Sequence, residues 1–160
     1  MGEKIKLKAS DGFELDAYVA RPAGKPKGGV VVIQEIFGVN QHIRKTADFY
    51  ASQGYLAVAP ALYDRAQPGF ECGYSQDEVK TGAGIRGKLT NDGLKADITA
   101  AVKKASEGGK VGVVGYCFGG TMTYLAACHI PGIAAASSYY RSEEHTFELQ
   151  SLAYLVCRLL

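Results

Sequence analysis

The chain has 160 residues, of which 47% are hydrophobic and 21% are charged, a composition typical of one globular domain. Lys and Arg number 18 against 16 acidic residues, and no basic run is present, so charge gives no reason to expect nucleic acid as a partner. No apolar run of about eighteen residues and no apolar leader follows Met1, which argues against membrane spanning and secretion.

The four cysteines, at positions 72, 117, 128 and 157, show neither a CxxC pair nor the spacing of metal ligands. They are too sparse for the disulfide framework of a small secreted protein. We therefore expect a cytoplasmic protein, monomeric when full length, whose partner is a small molecule rather than nucleic acid or a membrane.

The first predicted elements are the strands of an antiparallel hairpin. Residues 5–8 and 13–20 alternate apolar and polar side chains around Ser10-Asp11-Gly12, the punctuation of a turn. After a Pro- and Gly-rich stretch, Val30-Val31-Val32-Ile33 is unbroken and β-branched. Such a run predicts a central strand buried on both faces.

A helix is predicted over 40–53, because its apolar residues fall at helical spacing, Asn40 can cap its start and Gly54 can end it. A strand over 55–59 ends at Pro60. Residues 63–88 are polar and Gly-rich, and we interpret them as a long loop with room for a short helix, an excursion of the kind that shapes a pocket.

The remaining elements continue the alternation of helix and strand. A helix capped by Asn91 or Asp92 runs through Lys104, followed by a strand over 110–114, a helix over 118–129 and a strand over 132–138. This alternation predicts an α/β fold whose sheet is mostly parallel, with the functional site at the carboxyl ends of its strands.

The segment Gly115-Tyr116-Cys117-Phe118-Gly119-Gly120 joins a buried strand directly to a helix. That context is typical of a nucleophile elbow, which needs small neighbours such as Gly115 and Gly119 around the raised side chain. A free cysteine is more often a small buried residue, but the strand–turn–helix context favours Cys117 as a nucleophile. The helix N-terminus should favour its thiolate, and Phe118 N–H is the natural first oxyanion donor.

A second motif, Gln34-Glu35-Ile36-Phe37-Gly38-Val39-Asn40, follows the strand at 30–33. In a fold with such an elbow, the loop after this strand lends a second oxyanion N–H, here from Ile36. This arrangement would put Glu35 beside the thiol. A lone Glu at a strand end is usually a solvated group, and only its combination with the elbow favours a functional role.

With these two motifs, the strand 55–60 ending in Leu62-Tyr63, and the run KVGVVGYCFGG in this order, residues 1–140 resemble the dienelactone hydrolase family. The resemblance implies an α/β-hydrolase fold and hydrolysis of a lactone or carboxylic ester through an acyl-cysteine, with no cofactor and no metal. By position it makes Cys117 the nucleophile, Glu35 the carboxylate that tunes its ionisation, and the N–H groups of Ile36 and Phe118 the oxyanion hole.

In that family an arginine holds the carboxylate of the substrate. Arg65 and Arg86 are the candidates in the excursion, although arginines in such segments are more often solvated. Neither aligns clearly with the family's arginine. A preference for a dienelactone therefore stays open.

The acid and the histidine of a hydrolase triad follow the nucleophile on later strands. Only one predicted strand follows Cys117, so we expect both groups beyond position 160 and an impaired chain. His129 would lie about 18 Å from Cys117 along one helix, which favours a role at the helix terminus. For His42, a packed or solvated role is favoured over a catalytic one.

Residues 141–160, RSEEHTFELQSLAYLVCRLL, match no part of that family. They resemble a translated sequencing adapter, from which the first eleven residues depart only at Phe147, and the last six match the adapter's continuation after an index. We predict that the domain covers 1–140 and that 141–160 is an artefactual tail with no part in the fold. The strand at 132–138 should then be an unpaired edge, and folding should be marginal.

Two other functions stay open at this point. One is a binding protein that holds a small acid without turning it over. The other is a thioesterase, which would share the thiol nucleophile and differ in its acyl preference.

Overall fold

The computed structural model describes residues 2–139 and 155–158. Its strands form one sheet in the order β1-β2-β4-β3-β5-β6-β7. The strands are β1 (Glu3–Lys8), β2 (Glu14–Ala20), β3 (Gly29–Ile33), β4 (Leu56–Pro60), β5 (Val111–Tyr116), β6 (Ile133–Tyr139) and β7 (Leu155–Arg158). The helices are α1 (Gln41–Ser52), α2 (Gln76–Arg86), α3 (Asn91–Ala105) and α4 (Phe118–His129), with 3-10 turns at Leu62–Arg65 and Ser106–Gly108.

Strand pairing confirms the predicted fold class. β3 pairs in parallel with β4 and β5, and β5 pairs in parallel with β6, whereas β1, β2 and β4 are joined by antiparallel pairing. All five residues of β3 are buried, as its unbroken apolar run predicts. Cys117 and Glu35 follow the carboxyl ends of β5 and β3 and thus lie at one edge of the sheet.

Helices cover both faces of the sheet. On one face α3 presents the predicted residues Leu94, Ile98, Ala101 and Val102, all buried, to a core shared with α4. On the other face Ile43 and Ala47 of α1 pack against β3 and β4. The N-cap of α3 is Thr90, whose hydroxyl accepts from Gly93 N–H, so the prediction of Asn91 or Asp92 as the cap is wrong by one or two residues.

The segment 63–88 after β4, here called the excursion, contains more regular structure than its sequence predicts. Besides the 3-10 turn it holds α2, eleven residues long, where a loop with a short helix was expected. A capping box starts α2: the Ser75 hydroxyl accepts from Glu78 N–H, and the Glu78 carboxylate accepts from Ser75 N–H. This reciprocal pattern is readable in sequence, and it outweighs the glycines within the helix.

The edge of β6 is paired, so the expectation of an unpaired strand at 132–138 is wrong. The backbone of β7 runs antiparallel to β6, with Ser138 opposite Leu155. Edge pairing needs only backbone N–H and C=O groups, so any extended segment can supply it. The prediction that 141–160 is an artefactual tail concerns residues that lie outside the described part of the chain, except for the backbone of β7. In the described part, no helix is long and apolar enough to cross a membrane.

A buried ion pair ties the excursion to α3. Both carboxylate oxygens of Asp97, which is 0% exposed, accept from the Arg65 guanidinium at 2.7 and 2.8 Å. Asp11 pairs with the same guanidinium at 2.8 Å, and the Phe13 ring lies against it. Arg65 therefore links the β1–β2 turn, the 3-10 turn and α3.

Removing this cation should destabilise the fold strongly. In Arg65→Met the Asp97 carboxylate stays buried without its partner, which costs about 3–5 kcal/mol of unfolding free energy. Arg21→Met is the matched control, because Arg21 pairs with Glu3 at the exposed surface and such pairs contribute about 0–1 kcal/mol. Urea denaturation measures both variants, and equal losses in the two would contradict a structural role for Arg65.

Candidate active site

Cys117 sits on a sharp turn between β5 and α4. Its φ of 53° is positive, which no other non-glycine residue in the described part shows. Such a conformation costs roughly 1–3 kcal/mol for a side chain other than glycine and persists only where its surroundings enforce it. Here Cys117 N–H donates to Tyr139 C=O at 3.1 Å, and Cys117 C=O accepts from Gly120 N–H at 2.9 Å.

The glycines on either side make this turn sterically possible. A Cβ on Gly119 would lie 2.5 Å from the Ile33 carbonyl oxygen and 2.6 Å from that of Gln34. A Cβ on Gly115 would collide with the Gly119 carbonyl. The start of α4 therefore packs directly onto the end of β3, which brings the elbow and the Glu35 loop together.

The thiol of Cys117 is half-buried, and its environment acts on its ionisation in two directions. Burial raises the pKa of Cys117 most, and the nearby Glu35 carboxylate raises it further. The hydrogen bond from Phe118 N–H lowers that pKa, as expected at a helix N-terminus. The net direction is upward, so the expectation that the helix would favour the resting thiolate does not hold against burial.

Glu35 is 8% exposed at the end of β3. Its neighbour Gln34, fully buried, fixes the loop: the Gln34 side-chain carbonyl accepts from Leu62 N–H at 3.1 Å, and its amide donates to the Glu35 C=O at 3.3 Å. β3 and β5 pair in parallel up to Ile33 and Gly115, so Glu35 and Cys117 follow neighbouring strand ends, and the Glu35 carboxylate adds to the rise in the pKa of Cys117. The structure thus brings together the predicted carboxylate and the predicted nucleophile.

The excursion holds the loop that carries Ile36. Gly82 of α2 approaches so closely that a Cβ there would collide with the Ile36 carbonyl. Gly38, with φ of 78°, forms a β-bridge to Glu71, and Cys72 N–H donates to Phe37 C=O at 3.2 Å. Residues 70–82 therefore fix the position of the loop proposed to donate the second oxyanion N–H.

The two candidate arginines have different surroundings. Arg65 is engaged by Asp97 and Asp11, as described above. Arg86 is half-buried at the end of α2, where its guanidinium lies 5.2 Å over the ring of Phe118 and donates to Leu89 C=O at 3.4 Å. Because Phe118 follows the nucleophile, Arg86 is the arginine that faces the elbow.

Sequence reasoning missed one residue at this site, Tyr63. Its ring packs against Phe118 at 5.7 Å and against Phe70 at 5.9 Å, between centroids. In the sequence, Tyr63 serves only as the end of the motif that follows the strand 55–60, and no role in the site is predicted for it. Its position just after β4, the strand beside β3, is the signal that could have assigned it to the site.

No histidine in the described part is placed to serve Cys117. His129 ends α4 at the far end from the thiol. His42 is exposed at the start of α1, with its ring 6.1 Å from that of Tyr116. His145 lies outside the described residues. Residues 2–139 also contain no group of three or more His, Cys, Asp or Glu side chains able to hold a metal ion.

Comparison with known proteins identifies the family. The model of the dienelactone hydrolase family matches residues 15–153. The "Putative carboxymethylenebutenolidase" of Synechocystis sp. is 37% identical over 134 residues, which are 80% of this chain and 54% of that protein. The carboxymethylenebutenolidase of Pseudomonas putida is 37% identical over 131 residues, which are 78% of this chain and 55% of the relative.

A solved structure agrees. The crystal structure of a "Putative Dienelactone Hydrolase" from Klebsiella pneumoniae matches with a TM-score of 0.75 at 30% identity, covering 96% of this chain and 66% of that one. The chain spans about half the length of the curated relatives it matches. The resemblance drawn from the two motifs is confirmed, and the chain belongs to the dienelactone hydrolase family.

Proposed function

We propose that this chain carries the acylating half of an ester or lactone hydrolase, with Cys117 as the nucleophile. The observation that carries the proposal is the enforced left-handed backbone at Cys117, which serves no packing purpose that a glycine would not serve better. The names of the relatives, carboxymethylenebutenolidases, point to the same reaction class.

In the proposed reaction the sulfur of Cys117 attacks the substrate carbonyl carbon and forms a C–S bond. The carbonyl electron pair moves onto oxygen, where Phe118 N–H and Ile36 N–H stabilise the charge. Collapse of this intermediate breaks the C–O bond to the leaving group. The thiol proton passes to the leaving oxygen, and Glu35 is the adjacent group able to carry it.

We propose that Arg86 recognises an acidic substituent on the substrate. The relatives are named for a butenolide that bears a carboxymethylene group, which can carry a carboxylate. Arg86 is half-buried against Phe118, and a guanidinium donates two parallel hydrogen bonds to a carboxylate. Arg65 does not enter this proposal, because Asp97 and Asp11 already engage it.

We propose further that this chain accumulates the acyl-cysteine instead of turning over. Hydrolysis of that intermediate calls for a base that activates water, and the described residues place neither His42 nor His129 beside Cys117. Such a chain behaves as a single-turnover acceptor. Comparing the rate of Cys117 acylation by esters with the rate by thioesters would separate an esterase from a thioesterase.

Acylation of Cys117 is directly measurable. Incubation with p-nitrophenyl acetate should release about one equivalent of p-nitrophenolate and leave an acetyl group on the peptide that contains Cys117, as detected by mass spectrometry. Cys117→Ala should remove both signals, whereas Cys128→Ala, which removes an exposed thiol, should retain them. A folded chain with no adduct on Cys117 would refute the assignment; release of many equivalents would refute accumulation of the acyl-cysteine.

The Glu35 charge should set the pH dependence of the thiol. Because burial and Glu35 both raise the pKa of Cys117, its alkylation by iodoacetamide should reach half-maximum above the usual value of about 8.5. Glu35→Gln removes a charge that disfavours thiolate, so the midpoint should move to lower pH. Glu71→Gln is the control, since Glu71 bridges the same loop through its backbone and should leave the midpoint in place. An unchanged midpoint in Glu35→Gln would contradict the tuning role.

Arg86 should matter for acidic substrates alone. Arg86→Gln should raise the concentration of p-nitrophenyl hemisuccinate needed for half-maximal acylation by roughly tenfold to a hundredfold, the value of a charge-assisted hydrogen bond, and should leave p-nitrophenyl butyrate unaffected. Lys88→Gln makes the same charge change at an exposed position nearby. Equal effects of the two variants would mean that Arg86 acts only through its positive charge at long range and does not bind the carboxylate directly.

A further inference from the structure

Tyr63 carries a buried hydroxyl that nothing in the described part of the chain satisfies. The residue lies on the 3-10 turn after β4 and is 1% exposed. Its hydroxyl makes no hydrogen bond to any described residue. A buried polar group left unpaired costs about 1–3 kcal/mol, and phenylalanine would fill the same space without that cost. The hydroxyl therefore calls for a functional explanation.

The Tyr63 side chain packs against the elbow that carries the nucleophile. The ring of Phe118 contacts Tyr63 on one side, with centroids 5.7 Å apart, and lies under the Arg86 guanidinium at 5.2 Å. Both Arg86 and Cys117 act electrostatically on the Tyr63 hydroxyl. Tyr63 and Arg86 thus flank one side chain, that of the residue following the nucleophile.

Both groups are hydrogen-bond donors in this setting. Burial raises the pKa of Tyr63 far above its ordinary value, so its hydroxyl keeps its proton at any physiological pH. A guanidinium has five N–H donors and no acceptor. A carboxylate offers about four acceptor positions, enough to receive from the hydroxyl and the guanidinium together.

We infer that Tyr63 is a specificity-determining residue whose hydroxyl donates a hydrogen bond, beside Arg86, to the carboxylate of an acidic acyl substrate. The inference rests on the proposed acylation of Cys117 and deepens it, because it assigns a second donor to the acid-binding part of the site. The reacting carbonyl oxygen is served by the N–H groups of Phe118 and Ile36, which leaves the Tyr63 hydroxyl for a different oxygen.

The hydroxyl is not a partner of the resting nucleophile. No hydrogen bond joins it to Cys117 Sγ, so replacing Tyr63 by Phe takes no hydrogen bond away from the thiol. A site built to hydrogen-bond a substrate group discriminates strongly against analogues that lack it. Tyr63 should therefore separate acidic esters from neutral ones.

The test is single-turnover acylation of Tyr63→Phe, followed by release of p-nitrophenolate. For p-nitrophenyl hemisuccinate the half-saturating concentration should rise roughly tenfold, the value of one hydrogen bond to a charged group, with the maximal rate little changed. For p-nitrophenyl butyrate both parameters should stay within about twofold. The midpoint of urea denaturation should stay the same or increase, because the variant removes an unpaired buried hydroxyl.

Two controls separate substrate recognition from other effects. Tyr55→Phe makes the same change just before β4, at the opposite end of the sheet from Cys117, and should behave as wild type. Reaction with methyl methanethiosulfonate, a neutral thiol reagent without an acyl group, should proceed at the wild-type rate in Tyr63→Phe. A change in that rate would assign the effect to the thiol and overturn the inference.

The remaining outcomes are equally decisive. If Tyr63→Phe slows both esters alike, the hydroxyl acts at the reacting carbonyl and the carboxylate assignment fails. If it slows neither, Tyr63 has no part in recognition, although the acylation of Cys117 stands. If wild-type Cys117 is not acylated by either ester, the proposed function and this inference fail together.

Discussion

The site depends on one close approach, that of the start of α4 to the end of β3. Gly119 lies against the carbonyls of Ile33 and Gln34, where no Cβ fits. This contact holds the start of α4, and with it the positive φ of Cys117, against the loop that carries Glu35. One steric constraint therefore determines both the strained nucleophile and the charge that acts on its pKa.

The excursion between β4 and α3 forms the second half of the site. Gly82 and Gly38 let it lie directly on the loop that carries Ile36, and the buried Arg65–Asp97 pair fastens the other end to α3. The same segment contributes Tyr63 and Arg86. An insertion held this firmly can position donors for a substrate, which a mobile loop could not do within hydrogen-bonding tolerance.

Sequence patterns predict the sheet and the elbow because these follow from local rules. The unbroken run 30–33 must be buried on both faces, and the glycines around Cys117 have a steric reason readable in one line of sequence. Arg65 and Tyr63 could not be assigned that way. Their contacts are with Asp97, Asp11 and Phe118, which are distant in sequence. Such long-range contacts produce no periodic pattern in the sequence from which they could be predicted. The pairing of β7 with β6 was likewise unpredictable, since it uses backbone groups that every sequence has.

The ionisation of Cys117 shows how fold and proposed chemistry interact. Burial and Glu35 raise the pKa of the thiol more than Phe118 N–H lowers it, so the resting sulfur keeps its proton at neutral pH. A protonated thiol resists oxidation, because reactivity follows thiolate character. Any acidic substrate held by Arg86 enters a site where a second negative charge, on Glu35, is already present. In the proposed reaction, passing the thiol proton to Glu35 moves one negative charge from the carboxylate to sulfur and leaves the net charge of the site unchanged, so the N–H groups of Phe118 and Ile36 have to stabilise the charge that then develops on the substrate oxygen.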